Sequence, residues 1–77
     1  MNANVAVCRR ALNISQSKMA KLIGVGLTSY NLKENGKSGF NQIEMIKILE
    51  VFRNKGLNVT ADQIFFENKV INVITKK

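Results

Sequence analysis

The chain begins with apolar residues at the spacing of an α-helix. Val5, Cys8 and Leu12 fall on one face when this segment is wound as a helix, and charged residues lie beside that face. Apolar residues three or four positions apart form the stripe that a surface helix buries against a core. The pattern therefore predicts a first amphipathic helix from about Ala3 to Leu12.

Two glycines separate the next two predicted helices. Ser15 is a favourable N-cap because its hydroxyl can accept a hydrogen bond from the first-turn amides, so a second helix is predicted from there to about Ile23. Gly24 can take the positive φ that ends a helix, and Gly26 is tolerated as the cap of the next one. A third helix is predicted from about Leu27 to Glu34, before an Asn-Gly stop signal.

A capping box marks the start of a fourth helix. The Asn41 side chain can accept from the amide of Glu44, whose carboxylate can accept from the amide of Asn41 in return. The predicted helix spans roughly Gln42 to Arg53 and presents one apolar stripe to the core. That stripe consists of Met45, Ile48, Leu49 and Phe52.

The last predicted helix is short, and a different pattern follows it. Thr60 and Gln63 form a second capping box, which predicts a helix from Ala61 to about Phe66. Beyond it, β-branched residues cluster between lysines, a composition that favours a strand. A lone strand needs a partner strand to be stable. The β-branched residues are Val70, Ile71, Val73 and Ile74.

The composition limits the chemistry that the chain can perform. Its 77 residues predict one small domain, and they include no histidine and a single cysteine, Cys8. Neither a metal-ligand cluster nor an acid-base or nucleophile-base pair is visible. We therefore expect no enzyme, no cofactor, no metal and no small-molecule ligand. A secretory leader and a membrane-spanning run are also not visible, and the lone thiol is typical of a reducing cytoplasm.

The charge balance points to a polyanionic partner. The chain has 12 basic residues against 5 acidic ones, a net charge of +7 at neutral pH. An excess of this kind favours association with nucleic acid. The alternative, from composition alone, is a basic protein without such a partner.

The second and third predicted helices meet the steric requirements of a helix-turn-helix, which offers its second helix to the DNA major groove. Ala20 allows close helix contact, Gly24 makes the turn, Val25 fills the space beneath it, and Tyr30 packs the helix onto the core. With these residues the chain resembles the Cro and phage-repressor helix-turn-helix family of small bacterial and phage DNA-binding regulators. The resemblance covers residues 5–66. The matching stretches are residues 15–16, 19–20, 23–25, 33–37, Phe40, the helix from Gln42, and residues 61–66.

The resemblance implies an all-α, compact five-helix, lambda-repressor-like DNA-binding domain over residues 1–66, and a C-terminal tail over residues 67–77. Its recognition helix would span about residues 27–34. In that family the Gln that starts the second helix contacts DNA, which implies this role for Gln16; the alternative is an ordinary helix-start residue. The DNA-contacting residues that the resemblance implies are Gln16, Ser17, Gly26, Leu27, Thr28, Ser29, Asn31, Leu32, Asn35, Lys37 and Ser38.

Three residues depart from the family's usual pattern. Leu27 and Leu32 stand where Gln and Arg are common, so base readout is expected to rely on thymine methyl groups. The alternative is a rotated helix whose leucines belong to the core. Lys33 stands where Ile or Leu is common, and its alkyl stem is expected to lie along the core while its ammonium reaches solvent.

The resemblance also implies a structural ion pair inside the domain. In that family an Arg of the first helix pairs with the Glu that precedes the Asn-Gly turn, and Arg9 and Glu34 hold these positions. The alternative is two solvated charges. Cys8 lies on the apolar stripe of the first helix, so we expect it to be a core residue and not a nucleophile.

Members of the family usually act as twofold dimers on pseudo-palindromic operators, which implies a homodimer here. The expected function is sequence-specific, repressor-like transcription regulation by a phage or prophage protein in the bacterial cytoplasm or nucleoid. The alternative is a protein-interaction module, such as an antitoxin component, that binds a partner through its C-terminal apolar segment. The expected dimer contacts are Phe65, Phe66, Val70, Ile71, Val73 and Ile74.

Overall fold

The computed structural model describes residues 3–66 and shows five helical segments over that range. Four α-helices are followed by a single π-helical turn, which we label α5. The bounds are α1 Ala3–Ala11, α2 Gln16–Ile23, α3 Leu27–Glu34, α4 Gln42–Asn54 and α5 Asp62–Phe66. The predicted all-α fold class is confirmed, and each predicted helix is present. The strand predicted for residues 70–74 lies outside the described residues.

Local hydrogen bonding fixes the ends of α2. Ser15 Oγ accepts from the amide of Lys18 at 3.0 Å, as expected of an N-cap. Gly24 ends the helix with φ +82°, a conformation that costs a residue with a Cβ about 1–2 kcal/mol. The amide of Val25 then donates to the carbonyl of Ala20 at 3.0 Å. These contacts make the tight turn that leads into α3.

Both predicted capping boxes are present. Asn41 Oδ1 accepts from the amide of Glu44 at 2.8 Å, and Glu44 Oε1 accepts from the amide of Asn41 at 3.0 Å. Thr60 and Gln63 form the same reciprocal pair at 3.3 and 3.1 Å. The carbonyl of Gln63 also accepts from Asn4 Nδ2 at 2.7 Å. This last bond ties α5 to α1.

The core is built from the inward faces of all five segments. On α4, Ile48 and Phe52 are fully buried, while Met45 and Leu49 pack half-buried against the same cluster. Cys8 is buried too, and burial raises the pKa of its thiol to about 11, so the thiol stays protonated. The largest fully buried side chains are Tyr30, Phe52, Met19, Ile23, Ile48, Ile64, Val5 and Cys8.

The packing order of the helices leaves one side of α3 open. Helix α2 packs against α3 and α4, whereas α1 packs against α3 and α5. Helix α3 is therefore held from behind by α1 and α2. Within residues 3–66, no helix combines the length and the apolar character needed to cross a membrane.

Candidate nucleic-acid interface

A buried carboxylate on α3 joins the first three helices. Arg9 of α1 donates to Glu34 twice, from Nε to Oε2 at 2.9 Å and from Nη2 to Oε1 at 3.2 Å. Tyr30 Oη donates to Oε2 at 2.6 Å, and Gln16 Nε2 donates to Oε1 at 2.9 Å. We call Arg9, Gln16, Tyr30 and Glu34 the Glu34 cluster. Because its members come from α1, α2 and α3, the cluster fixes the rotation of α3 about its own axis.

Burial and hydrogen bonding set the charges of the cluster. Arg9 is 6% exposed and Glu34 is 3% exposed, so they form a buried ion pair and not two solvated charges. Burial opposes ionisation of Glu34, but hydrogen bonds from Arg9, Tyr30 and Gln16 outweigh it and hold the pKa of Glu34 below its usual value. Burial raises the pKa of Tyr30 well above its usual value. At neutral pH the pair is therefore ionised and the phenol is neutral.

Gln16 has a role inside the protein that its sequence position does not reveal. It is the first residue of α2, it is half-buried, and its amide nitrogen is bonded to Glu34. The side chain is therefore held in place before any DNA arrives. Ser17, the next residue, is exposed.

The outward face of α3 carries apolar residues. Leu27 is 46% exposed and Leu32 is 43% exposed, so neither leucine lies in the core. Thr28 and Ser29 are exposed between them. Asn31 is half-buried, and its Oδ1 is buried without a hydrogen-bond partner among the described residues. We define Leu27, Thr28 and Leu32, three exposed residues among the predicted DNA contacts, as the outward face of α3.

The loop after α3 is exposed and tied to the same helix. The amides of Lys37 and Ser38 both donate to the carbonyl of Leu32, at 2.9 and 3.3 Å. Asn35, Lys37 and Ser38 are exposed. At the other end of α3, Gly26 is the N-cap and supplies no side-chain hydrogen bond to the first turn. Gly26 and the three loop residues, which are among the predicted DNA contacts, thus lie at the two ends of α3.

The chain matches a family model described as Helix-turn-helix over residues 6–59. The matched range includes all of α2 and α3 and the turn between them. The chain belongs to the Cro and phage-repressor-type helix-turn-helix family. Comparisons with curated proteins and with solved structures return no match.

Membership in this helix-turn-helix family makes the protein a DNA-binding regulator of that type, with double-stranded DNA as its partner. The protein exposes basic side chains that can pair with the phosphates of DNA. Arg10, Lys18 and Lys21 are exposed on the first two helices, and Lys37 is exposed after α3. Duplex DNA carries one negative charge per about 1.7 Å of its axis, so exposed cations supply much of the binding energy.

Lys33 differs from the expectation. Its ammonium, expected in solvent, lies 2.7 Å from Oε1 of Glu44 on α4, and its side chain is only 14% exposed. The physical reason is that α4 starts close by and presents a carboxylate that an ammonium binds more strongly than it binds water in a partly buried site. The capping box predicts where the Glu44 carboxylate lies, but nothing in the sequence brings Lys33 to it across the loop.

The C-terminal segment of the helix-turn-helix domain places its two phenylalanines differently. Phe65 is half-buried, with its ring centroid 6.0 Å from that of Phe40. Phe66 is 64% exposed. The remaining predicted dimer contacts, residues 70–74, lie outside the described residues.

Proposed function

We propose that the protein is a repressor-like regulator that reads double-stranded DNA by inserting α3 into the major groove. The observation that carries the proposal is the outward face of α3. Its leucines are exposed, while two polar side chains of the same helix, Tyr30 and Glu34, are buried and paired. Burying exposed apolar surface is favourable by about 25 cal/mol per Å², so the leucines gain most from a partner that offers apolar groups. Thymine C5-methyl groups offer that surface in the major groove.

The flanking polar residues would hold the helix on the DNA backbone. Lys37, Ser38 and Asn35 follow α3, and Ser17 lies at the start of α2. Backbone contacts of this kind position a protein on DNA, and base contacts give it sequence preference. If Lys37 contacts the backbone and Leu32 contacts bases, substitutions of Lys37 should weaken binding to every sequence. Substitutions of Leu32 should instead alter the preferred sequence.

We also propose that the protein acts as a homodimer on a pseudo-palindromic operator. One α3 reads one half-site, and twofold dimers place two such helices about one turn of DNA apart. Phe66 supports this proposal because a large aromatic side chain is exposed at the end of the described domain. The proposed division is a DNA-binding domain over residues 1–66 and a dimerisation tail over residues 67–77. In a phage or prophage setting, such a dimer would repress by covering a promoter.

The exposure of Phe66 also favours a second candidate function. The C-terminal apolar segment that includes Phe65 and Phe66 would then bind a different protein, as in an antitoxin component. The helix-turn-helix would serve as a scaffold for that segment. Partner binding of that kind would depend on Phe65 and Phe66 and would be insensitive to replacement of Lys37. DNA binding would show the opposite dependence.

The experiment that tests the proposal is selection from a random duplex pool, followed by a salt titration on the selected sequence. We expect an inverted repeat to be enriched and its affinity to fall steeply with salt. Deletion of residues 67–77 should lower the affinity and yield monomers in sedimentation analysis. Enrichment of no sequence, with only salt-sensitive bulk binding, would move the function to the partner-binding alternative. Unchanged affinity and unchanged oligomeric state after the deletion would rule out the dimerisation tail.

A further inference from the structure

An ion pair between α3 and α4 spans the loop that holds the proposed phosphate contacts. Lys33 Nζ lies 2.7 Å from each carboxylate oxygen of Glu44. Lys33 belongs to the last turn of α3 and Glu44 to the first turn of α4. The two side chains are 14% and 10% exposed, so water screens this pair less than it screens a surface pair. The pair is therefore a defined link between two helices.

The same carboxylate also starts α4. Glu44 Oε1 accepts from the amide of Asn41 at 3.0 Å while it binds Lys33. Burial opposes ionisation of Glu44, but the hydrogen bonds from Lys33 and Asn41 outweigh it and lower the pKa of the carboxyl. The end of α3 and the cap of α4 thus share one ionised group.

The loop between these two helices is held at both ends. On the α3 side, the amides of Lys37 and Ser38 bond to the carbonyl of Leu32. On the α4 side, the capping box holds Asn41. The closer packing of α4 is against α2, and the rings of Tyr30 and Phe40 meet at 6.0 Å. Among the described residues, the Lys33–Glu44 contact is the ion pair that joins α3 to α4.

We propose that Lys33 and Glu44 are positioning residues for DNA binding, whose ion pair holds loop 35–40 in register with the outward face of α3. This inference rests on the proposed DNA-binding function. Neither residue needs to touch DNA, because the Lys33 ammonium is already bound by Glu44. Lys37 and Ser38 are already bonded to Leu32 at the α3 end of the loop. The pair acts at the other end, because it fixes the start of α4, and with it the course of the loop that presents Lys37 and Ser38, relative to α3.

The net charge of the protein and the positioning of the loop predict opposite changes in DNA affinity for Glu44→Gln. Glu44→Gln removes a negative charge, so long-range electrostatics alone would tighten binding to DNA. The same substitution weakens the ion pair, so loss of positioning would weaken binding. Gln is also accepted at this position of a capping box, which preserves the start of α4. The sign of the change in affinity therefore separates the two effects.

The test measures affinity for the selected duplex by fluorescence anisotropy over a range of salt concentrations. We expect Glu44→Gln to lose about tenfold in affinity and to lower the log-log salt slope by about one, because about one phosphate contact is lost. Glu50→Gln is the matched control: it removes an exposed acidic side chain from the same helix and should bind as tightly as wild type or more tightly. Lys33→Arg keeps a cation for Glu44 and should bind almost as wild type does.

Stability is measured in parallel by urea denaturation, so that a structural role can be recognised. Equal affinities for Glu44→Gln and Glu50→Gln, with a lower urea midpoint for Glu44→Gln alone, would overturn the proposal. Should Glu44→Gln not fold, Lys33→Met is compared with Lys55→Met, which removes the same charge at an exposed site. Equal losses in those two variants would also overturn it. Failure of the wild-type protein to select any duplex would overturn the proposed DNA-binding function itself. That outcome is distinct from the results above, which overturn only the positioning role of Lys33 and Glu44.

Discussion

The two faces of α3 show the reverse of the usual arrangement of polar and apolar residues. Its inward face places Tyr30 and Glu34 in the interior, where the carboxylate is 3% exposed. Its outward face leaves Leu27 and Leu32 in solvent, at 46% and 43% exposure. A charged side chain is inside, and large apolar side chains are outside.

The two faces differ in whether the protein itself offsets the cost of placing a charge inside or apolar side chains outside. Inside, the carboxylate receives hydrogen bonds from Arg9, Tyr30 and Gln16, so the cost of burial is offset within the protein. Outside, the described residues leave 46% of Leu27 and 43% of Leu32 exposed. The inward face therefore contributes to folding, and the outward face is available to a partner. The predictions that follow separate these two contributions.

The largest effect is expected from removing one partner of the buried ion pair. Arg9→Met leaves the buried Glu34 carboxylate without a cation to neutralise it, which should lower the free energy of unfolding by about 3–5 kcal/mol. Arg10→Met is the matched control, because Arg10 is the exposed neighbour, and its effect should stay within about 0.5 kcal/mol. Urea denaturation measures both. Similar losses for the two variants would show that the inward face does not carry the stability assigned to it.

A smaller loss of stability is expected on acidification. Because the folded-state pKa of Glu34 lies below the usual value of 4.5, its contribution to stability is complete above that value. The contribution is lost as the pH falls through the folded-state pKa. We expect urea midpoints to fall between neutral pH and pH values below 4.5, with a shallower dependence in Glu34→Gln. The same pH dependence in wild type and Glu34→Gln would contradict the assignment.

Substitutions on the outward face should lower the affinity for DNA and leave the stability of the fold almost unchanged. Leu32→Ala is expected to leave the free energy of unfolding within about 0.5 kcal/mol of wild type. It should nevertheless lose about tenfold in affinity for the selected duplex, because apolar contact with thymine methyl groups is lost. Ile46→Ala is the control, since Ile46 is 49% exposed on α4, and its affinity should not change. Fluorescence anisotropy at fixed salt compares them. A loss of stability without loss of affinity would assign Leu32 to the core.

The smallest effect is expected at the loop after α3. Lys37→Gln should reduce affinity uniformly across sequences and lower the salt slope by about one. Lys55→Gln removes an equal charge from the end of α4 and should change the slope less. Titrations at several salt concentrations measure both. A sequence-dependent loss at Lys37 would mean that this residue reads bases and not backbone.

The sequence predicts the helix ends well because the signals are local. Ser15, Gly24 and Asn41 each act on backbone groups within four residues, so their hydrogen bonds can be predicted without the fold. The rotation of α3 could not be predicted in the same way. Leu27 and Tyr30 are three residues apart and could share one face, so a rotated helix with buried leucines was a consistent alternative. The ion pair with Arg9, 25 residues away in the chain, turns Tyr30 and Glu34 inward.

The contacts that the sequence missed depend on tertiary structure. The Gln16 amide is bonded to Glu34 on another helix, and Lys33 binds Glu44, which lies eleven positions further along the chain. A lysine side chain usually places its ammonium in water, so the sequence alone predicts an exposed Lys33 ammonium. The Glu44 carboxylate comes close to Lys33 only in the folded protein, and the ammonium binds it there. The predicted DNA contacts and the dimer remain predictions, since they concern partners of the folded chain.

The most direct test of the account is parallel selection from one random duplex pool with wild type and Leu32→Gln. Glutamine at position 32 can accept and donate hydrogen bonds where leucine offers only apolar contact. The account predicts that both proteins enrich an inverted repeat of the same spacing. The preferred base would differ at one pair in each half-site, changing from thymine to another base. Enrichment of identical sequences by the two proteins would contradict the claim that the outward face of α3 reads DNA.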